Sequence, residues 1–207
     1  MNIAVLVSGG GTNLQALIDF EKSNSKCPYH IALVVSNTKN AYALERAKNA
    51  NIPSEICSPF SVLGKEKAQV LDRDTKRIAV SDAILKLCKE YQVQAIVLAG
   101  YLSVLGGKIL SDYENKIINL HPALLPKFGG VGMWGNNVHE AVLAAGEKES
   151  GCTVHLVDSG CDTGKILVQK KVPVLPDDTP ESLYKRIAPK EHEAIIEGVC
   201  LLAQGKI

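Results

Sequence analysis

The chain has 207 residues, 46% hydrophobic and 22% charged, and its 23 basic and 22 acidic side chains leave a formal net charge of +1. That length supplies one full core, as a single domain or as two closely joined halves. The even charge balance, with no basic run, excludes a nucleic-acid groove and an electrostatic membrane patch, so any anionic partner has to be small and held by local geometry.

Residues 2–7 read as a buried strand that ends at Ser8-Gly9-Gly10-Gly11. This opening is too short for a membrane span and lacks the basic region and cleavage site of a signal peptide. The expected site of action is the cytoplasm. Thr12 and Gln15 have the spacing of a T-x-x-Q capping box for a helix through Leu14, Leu17 and Ile18. A second strand is expected at His30–Val35, a helix at Ala41–Asn51 and a short third strand at Pro53–Cys57. Ser81 is the expected N-cap of a helix whose Ile84, Leu87, Cys88 and Tyr91 recur at helical spacing. Gln94–Ala99 is the next buried strand. Strands and helices that alternate in this way, with continuous apolar strands, predict an α/β fold: a mostly parallel twisted sheet covered by helices on both faces, Rossmann-like in its first half.

The second half begins with a strand at Lys116–Leu120. The run Phe128-Gly129-Gly130-Val131-Gly132-Met133-Trp134-Gly135 is a glycine-rich and mobile loop. Val138–Ala145 reads as a helix stopped by Gly146. Cys152–Val157 and Ile166–Val172 are strands joined by the short turn segment 158–164, which predicts an antiparallel pair. A last helix opens at Thr179-Pro180, is kinked or interrupted at Pro189 and closes at Gly205.

Six cysteines, at 27, 57, 88, 152, 161 and 200, form no CxxC pair and no zinc-ligand spacing with histidine. Reduced, buried thiols are expected. A reactive thiol at Cys161, in the turn segment, is the less favoured reading, since no partner base lies nearby in the sequence. No metal is predicted, because no histidine pair has the i, i+4 spacing of a helical metal site.

Two segments carry chemistry. In an open α/β sheet ligands sit beyond the carboxyl ends of the strands, so the Ser8–Asn13 loop is well placed. Its glycines allow close backbone approach, and the N–H groups opening the next helix suit a phosphate monoester. The third glycine of a dinucleotide fingerprint is missing, the second strand ends in Ser36-Asn37 without an acidic residue, and no Lys-Ser/Thr follows as in a P-loop. A tight turn with no ligand is the plainer reading of the same residues. The other segment is Asn119-Leu120-His121-Pro122 at a strand end. Alternation puts Asn119 and His121 on one face, where a carboxamide and an imidazole can donate to one developing oxyanion. His121 could equally cap the strand end. Asp162, in the turn segment, is either a plain Asx turn or a carboxylate that raises the histidine's pKa and assists proton transfer. The remaining histidines read as weaker candidates: His30 and His155 as core or edge residues of strands, His139 near a helix start, His192 just after Pro189.

The segments Ile3–Gln15, Val97–Tyr101, Asn119-Leu120-His121-Pro122-Ala123-Leu124-Leu125-Pro126, Gly151–His155 and Asp162–Ile166 together resemble the folate-dependent phosphoribosylglycinamide formyltransferase family over nearly the whole chain. The resemblance implies a single formyltransferase domain, residues 1–100 binding phosphate and 101–207 binding folate and carrying the chemistry. It implies formyl transfer from 10-formyltetrahydrofolate, a co-substrate, to the amine of 5-phosphoribosylglycinamide in purine synthesis. Asn119, His121 and a proton-shuttling Asp162 match the catalytic residues. Gly11, Thr12 and Asn13 match the phosphate loop, and Glu191 a carboxylate for the ribose hydroxyls. Leu102, Val104 and Leu105, with Asn119 and the backbone of 158–162, match the folate pocket. Arg77, or Arg73 in its place, matches an arginine near the folate tail. The implied partners are these two small molecules, with no nucleic acid and no membrane; the oligomeric state stays open, a homodimer included. Departures are Ser103 where many members carry Arg, Ala123 for the more usual Ser, a longer loop at Gly129–Asn137, and Ala188-Pro189. A 10-formyltetrahydrofolate hydrolase, which shares the three catalytic positions but usually carries a preceding regulatory domain, and a non-catalytic nucleotide-binding module are the rival readings.

Overall fold

The first apolar run becomes a strand walled by side chains on both faces: β1 (Asn2–Val7) is fully buried from Ile3 to Val7. The computed structural model describes residues 1–207 and divides into two units, Met1–Ile117 and Ile118–Ile207. In the first, β1 is followed by α1 (Thr12–Ser23), β2 (His30–Ser36), α2 (Tyr42–Asn49), β3 (Ser54–Ile56), α3 (Pro59–Leu63), α4 (Lys65–Val70), α5 (Arg73–Glu90), β4 (Ala95–Leu98) and α6 (Lys108–Asp112). β5 (Ile117–His121) begins at the division. The second unit continues with α7 (Asn136–Ala144), β6 (Glu149–Leu156), β7 (Ile166–Pro173) and α8 (Pro180–Ala203).

The strands form one seven-stranded mixed sheet in the order β3-β2-β1-β4-β5-β6-β7. β1 pairs parallel with β2 and β4, and β2 with β3. β6 runs antiparallel to both β5 and β7. The short 157–165 connection permits only a reversal, so the expected antiparallel pair follows from loop length. In the β5–β6 register Asn119 lies opposite His155, and His121 opposite Thr153.

Two expectations about helix starts fail, each for a local reason. Gly11, in the left-handed region at φ 70°, is the N-cap of α1, and no side chain caps it. Thr12 is already helical, and the Gln15 amide instead donates to Asp19 Oδ1 at 2.8 Å. Helix α5 starts well before Ser81, capped by Asp72, whose Oδ1 accepts from Thr75 N at 2.9 Å. Its first turns are polar and show no apolar period to read. Ser81 lies inside it, 1% exposed, where its hydroxyl accepts from Gly106 N at 3.0 Å. Helix α8 runs unbroken through Pro189. Its ends are as expected: Thr179 and Ser182 form a reciprocal capping box before Pro180, and Gly205 at φ 64° donates back to Leu202 O.

One face of α8 is Leu183, Ile187, Glu191, Ala194, Ile195, Gly198, Val199 and Leu202, all buried. A Cβ on Gly198 would stand 2.6 Å from Val154 Cγ1, so this helix lies directly on β6. The periodicity of that face carries Glu191 inward with the aliphatic residues. No helix is long and apolar enough to cross a membrane.

Candidate active site

Strand alternation brings Asn119 and His121 to the same face of β5, and the adjacent β6 supplies Thr153 and His155 to it. The chain beyond His121 is held by hydrogen bonds rather than by packing alone. Thr153 Oγ1 donates to Ala123 O at 2.7 Å and accepts from Leu125 N at 3.0 Å. Gln169 Nε2 on β7 donates to Leu125 O at 2.8 Å and to Thr153 Oγ1 at 3.0 Å. Thr153 is wholly buried, so these bonds form away from competing water and fix the backbone that aims His121.

Asp162 reaches this face from the loop between β6 and β7. Its backbone is left-handed at φ 57°, a conformation that Asp and Asn tolerate best among residues other than glycine. The Asx turn of this loop belongs to Asp158, whose Oδ1 accepts from Gly160 N at 2.9 Å and Thr163 Oγ1 at 2.7 Å. Asp162 points inward instead. Its Oδ2 accepts from Gly130 N at 2.9 Å and lies 3.5 Å from His121 Nδ1. Its Oδ1 lies 3.4 Å from His155 Nε2 and 3.5 Å from Asn119 Nδ2.

The partners determine which ring nitrogen carries a proton, because a carbonyl oxygen can only accept. His121 Nε2 therefore donates to Phe128 O at 2.8 Å, which turns Nδ1 toward Asp162. His155 Nδ1 donates to Leu156 O at 2.8 Å, and its Nε2 accepts from Asn119 Nδ2 at 3.1 Å. The second N–H of Asn119 has only the long contact to Asp162, a bond weak enough to be exchanged for a ligand oxygen.

Burial pushes the His121 pKa down, and this outweighs the upward pulls of Asp162 and the Phe128 carbonyl. The expected net rise is therefore corrected: with this ring 3% exposed, desolvation of the cation wins. Burial pushes Asp162 up, but the adjacent His155 side chain, the Gly130 N–H and the field of His121 overcome it and hold the carboxyl below its ordinary value. His139 on α7 is lowered by burial and by the nearby His121, and its ring tilts against Tyr184. The grouping is thus an anionic carboxylate facing an imidazole that is neutral at neutral pH.

The loop after Phe128 is tied to this group through Gly130. It turns on Gly130, Gly132 and Gly135, all at positive φ, and leaves Val131 94% and Trp134 56% exposed. Glu191 is 6% exposed on the buried face of α8. Cys161 is exposed, and burial and then the Asp162 charge push its thiol up, which disfavours the reactive thiolate. All six cysteines are free, and Cys57, Cys88 and Cys152 are buried. No group of His, Cys, Asp or Glu side chains is arranged to hold a metal ion.

In the first unit, Gly9–Asn13 joins β1 to α1. Gly11 faces α2 so closely that a Cβ would lie 2.6 Å from Ala43 Cβ. Leu105 is buried, whereas Leu102 and Val104 are 62% and 55% exposed. Leu102 N donates to Ser8 Oγ at 2.8 Å, which fastens the Leu102 backbone to the end of β1. Arg77 pairs with Asp74 at 3.3 Å and lays its guanidinium along Gly106, while Arg73 opens α5 in an exposed position.

The structure thus brings Asn119, His121 and Asp162 together and adds His155, which reads in sequence as a core or edge residue. Its only signal is a polar residue two places after Thr153 in an otherwise apolar strand.

Residues 1–199 match the formyl transferase family model. Phosphoribosylglycinamide formyltransferase of Haemophilus influenzae is 40% identical over 191 residues, covering 92% of this chain and 82% of that protein. The crystal structure of glycinamide ribonucleotide transformylase 1 from Symbiobacterium toebii superposes with a TM-score of 0.86 at 37% identity, over 99% of this chain and 88% of that one. The trifunctional purine biosynthetic protein adenosine-3 of Drosophila melanogaster is 40% identical over 204 residues, and there the chain spans 14% of the relative's length.

Proposed function

The chain belongs to the formyl transferase family, among its phosphoribosylglycinamide formyltransferases, and on that premise we propose that it transfers the formyl group of 10-formyltetrahydrofolate to the amine of 5-phosphoribosylglycinamide in purine synthesis. The observation that carries this reading is the Asp162 carboxylate set between His121 and Asn119 on one face of β5. These are the groups that an amine attack on a formyl carbon needs.

The amine is partly neutral near pH 7, since an α-amino group titrates near about 8. As its nitrogen bonds to the formyl carbon, the carbonyl oxygen becomes an oxyanion. Asn119 donates its weakly used N–H to that oxygen. His121, neutral beforehand, takes up a proton from water at Nδ1 as the oxyanion forms, stabilises it as a neighbouring cation, and returns that proton to water when the intermediate collapses. Asp162 holds the imidazolium and, through water, relays the proton lost by the amine to the folate nitrogen as its bond to carbon breaks. Losing one oxyanion donor typically costs about 2.7–4 kcal/mol of barrier. Gly11, Thr12 and Asn13 hold the substrate phosphate, and Glu191 the ribose hydroxyls. Leu102, Val104, Leu105 and Asn119 line the folate ring site, and Arg77 faces the folate tail. Exposed Leu102 and Val104 suit that role, since apolar side chains in water gain by covering a ring system. The 128–137 loop closes over the site. Six free cysteines suit a reducing cytoplasm.

The test is the absorbance change on release of tetrahydrofolate, followed with and without the glycinamide ribonucleotide. Folate turnover that requires the amine supports the proposal. Turnover in its absence makes the protein a hydrolase, and no turnover leaves a binding module; either result overturns it.

A further inference from the structure

We infer that Arg46 is the positioning residue of the phosphate loop: it holds the Gly10 carbonyl turned back so that the loop presents only N–H groups to a phosphate monoester. The inference rests on the reading of Gly11, Thr12 and Asn13 as the phosphate holders.

A phosphate dianion is repelled by carbonyl oxygens and attracted by N–H groups, so a loop that binds it has to commit its carbonyls elsewhere. Here α2 performs that task. Gly9 O accepts from Ala43 N at 3.1 Å, and Gly10 O accepts from Arg46 Nε at 2.7 Å. Gly11 O accepts from Gln15 N at 2.9 Å within α1. The same guanidinium donates from Nη1 to Gln15 Oε1 at 3.0 Å, so it clamps the loop and the first turn of the following helix together. The Tyr42 ring stacks under it, with Cζ 5.0 Å from the centroid, and fixes the plane of the fork. The Arg46 stem also covers Gly11, since a Cβ there would meet Arg46 Cδ at 3.5 Å. One side chain therefore sets the orientation of the Gly10–Gly11 peptide, ties it to the Gln15 side chain and brings a permanent positive charge behind the loop. Lysine keeps the charge but cannot reproduce two divergent donors from one rigid plane.

The experiment compares the wild type with Arg46→Lys and Arg46→Met. Affinity for ribose 5-phosphate and for inorganic phosphate is measured by calorimetry, and KM is measured separately for the amine and folate substrates. Loss of a charge-assisted bond that orients the loop predicts about tenfold weaker binding of both phosphate probes in Arg46→Met and a smaller loss in Arg46→Lys. The KM for the amine substrate should rise in parallel, with KM for the folate unchanged. Phosphate affinity within twofold of wild type in both variants overturns the inference. Equal rises in both KM values also overturn it, because a merely structural role would do that. If Arg46→Met does not fold, Arg46→Lys is read by the same criteria. Weakened phosphate binding in a protein that transfers no formyl group would support the inference while removing the proposed reaction. Formyl transfer with phosphate binding indifferent to Arg46 would do the reverse.

Discussion

Asp158 and Asp162 lie in one turn but perform separate tasks: Asp158 Oδ1 accepts the Gly160 N–H and the Thr163 hydroxyl, while Asp162 faces His121 Nδ1 at 3.5 Å and takes the Gly130 N–H. Because Asp158 shapes the turn, the charge on Asp162 is available for chemistry.

Asp162→Asn is the informative change at that position. Asparagine tolerates the left-handed backbone at φ 57° as aspartate does, so the substitution removes charge and leaves the turn. Turnover should fall about 10²–10⁴-fold, the usual range for a lost acid–base group. Both ligands should still bind, as checked by calorimetry. Loss of binding at unchanged turnover would make the role structural.

His155→Gln tests the residue that sequence patterning conceals. The His155 side chain, 3.4 Å from Oδ1, is the largest influence lowering the Asp162 carboxyl against its burial. Without it the carboxyl should titrate higher, moving the acid limb of the pH–rate profile upward while the KM values stay near wild type. An acid limb that does not move would show that His155 leaves Asp162 untouched.

Stability should decline on the acid side. His121 has a folded-state pKa below its unfolded value, so its contribution is fully present above the ordinary histidine range and is lost as pH falls through the folded value. Asp162, also lowered, acts with the same sign at lower pH, below the ordinary carboxylate range. Urea midpoints measured from pH 8 downward should fall in both windows. A His121→Gln protein should show a smaller upper step, the remainder coming from His139 and His192, which are lowered as well, and an undiminished step would show that His121 contributes nothing to it.

Thr153→Val is nearly isosteric but removes the hydroxyl shared by Ala123, Leu125 and Gln169. Leaving these buried groups unpaired should cost about 1–3 kcal/mol in chemical denaturation. Turnover should fall as His121 loses its fixed backbone. A wild-type urea midpoint would mean that water replaces the hydroxyl.

Gly132→Pro probes the loop. Its φ of 89° is closed to proline, whose ring holds φ near about −65°. Turnover should slow several-fold while the melting temperature stays close to wild type, since Val131 and Trp134 beside it are exposed. Unchanged turnover would remove the lid from the proposal.

Much of this organisation was legible because the determinants are local. Continuous apolar strands show as runs, the antiparallel pair follows from a short turn, and Thr179-Pro180 and Gly205 mark both ends of α8. The short helices α3, α4 and α6 offer no apolar period, and the polar opening of α5 hides its true start at Arg73. In the candidate site, Asn119 and His121 stand out as polar residues ending an apolar strand. His155 and Thr153 do not, because a buried polar residue in a strand looks like any other until its cross-strand partner is known. Arg46 reads as one more helix charge, and its role depends on the close approach of α2 to Gly11.

The β5–β6 ladder sets Asn119 against His155 and His121 against Thr153. Side chains alternate along a strand, so a slip of one place in β6 would carry Thr153 and His155 to the face opposite Asn119 and His121. The chemistry therefore has no half-assembled form to pass through. Catalytic competence should vanish in a single step when this strand pair unzips, and reappear only when refolding chains find the correct pairing, which makes turnover a direct gauge of strand alignment.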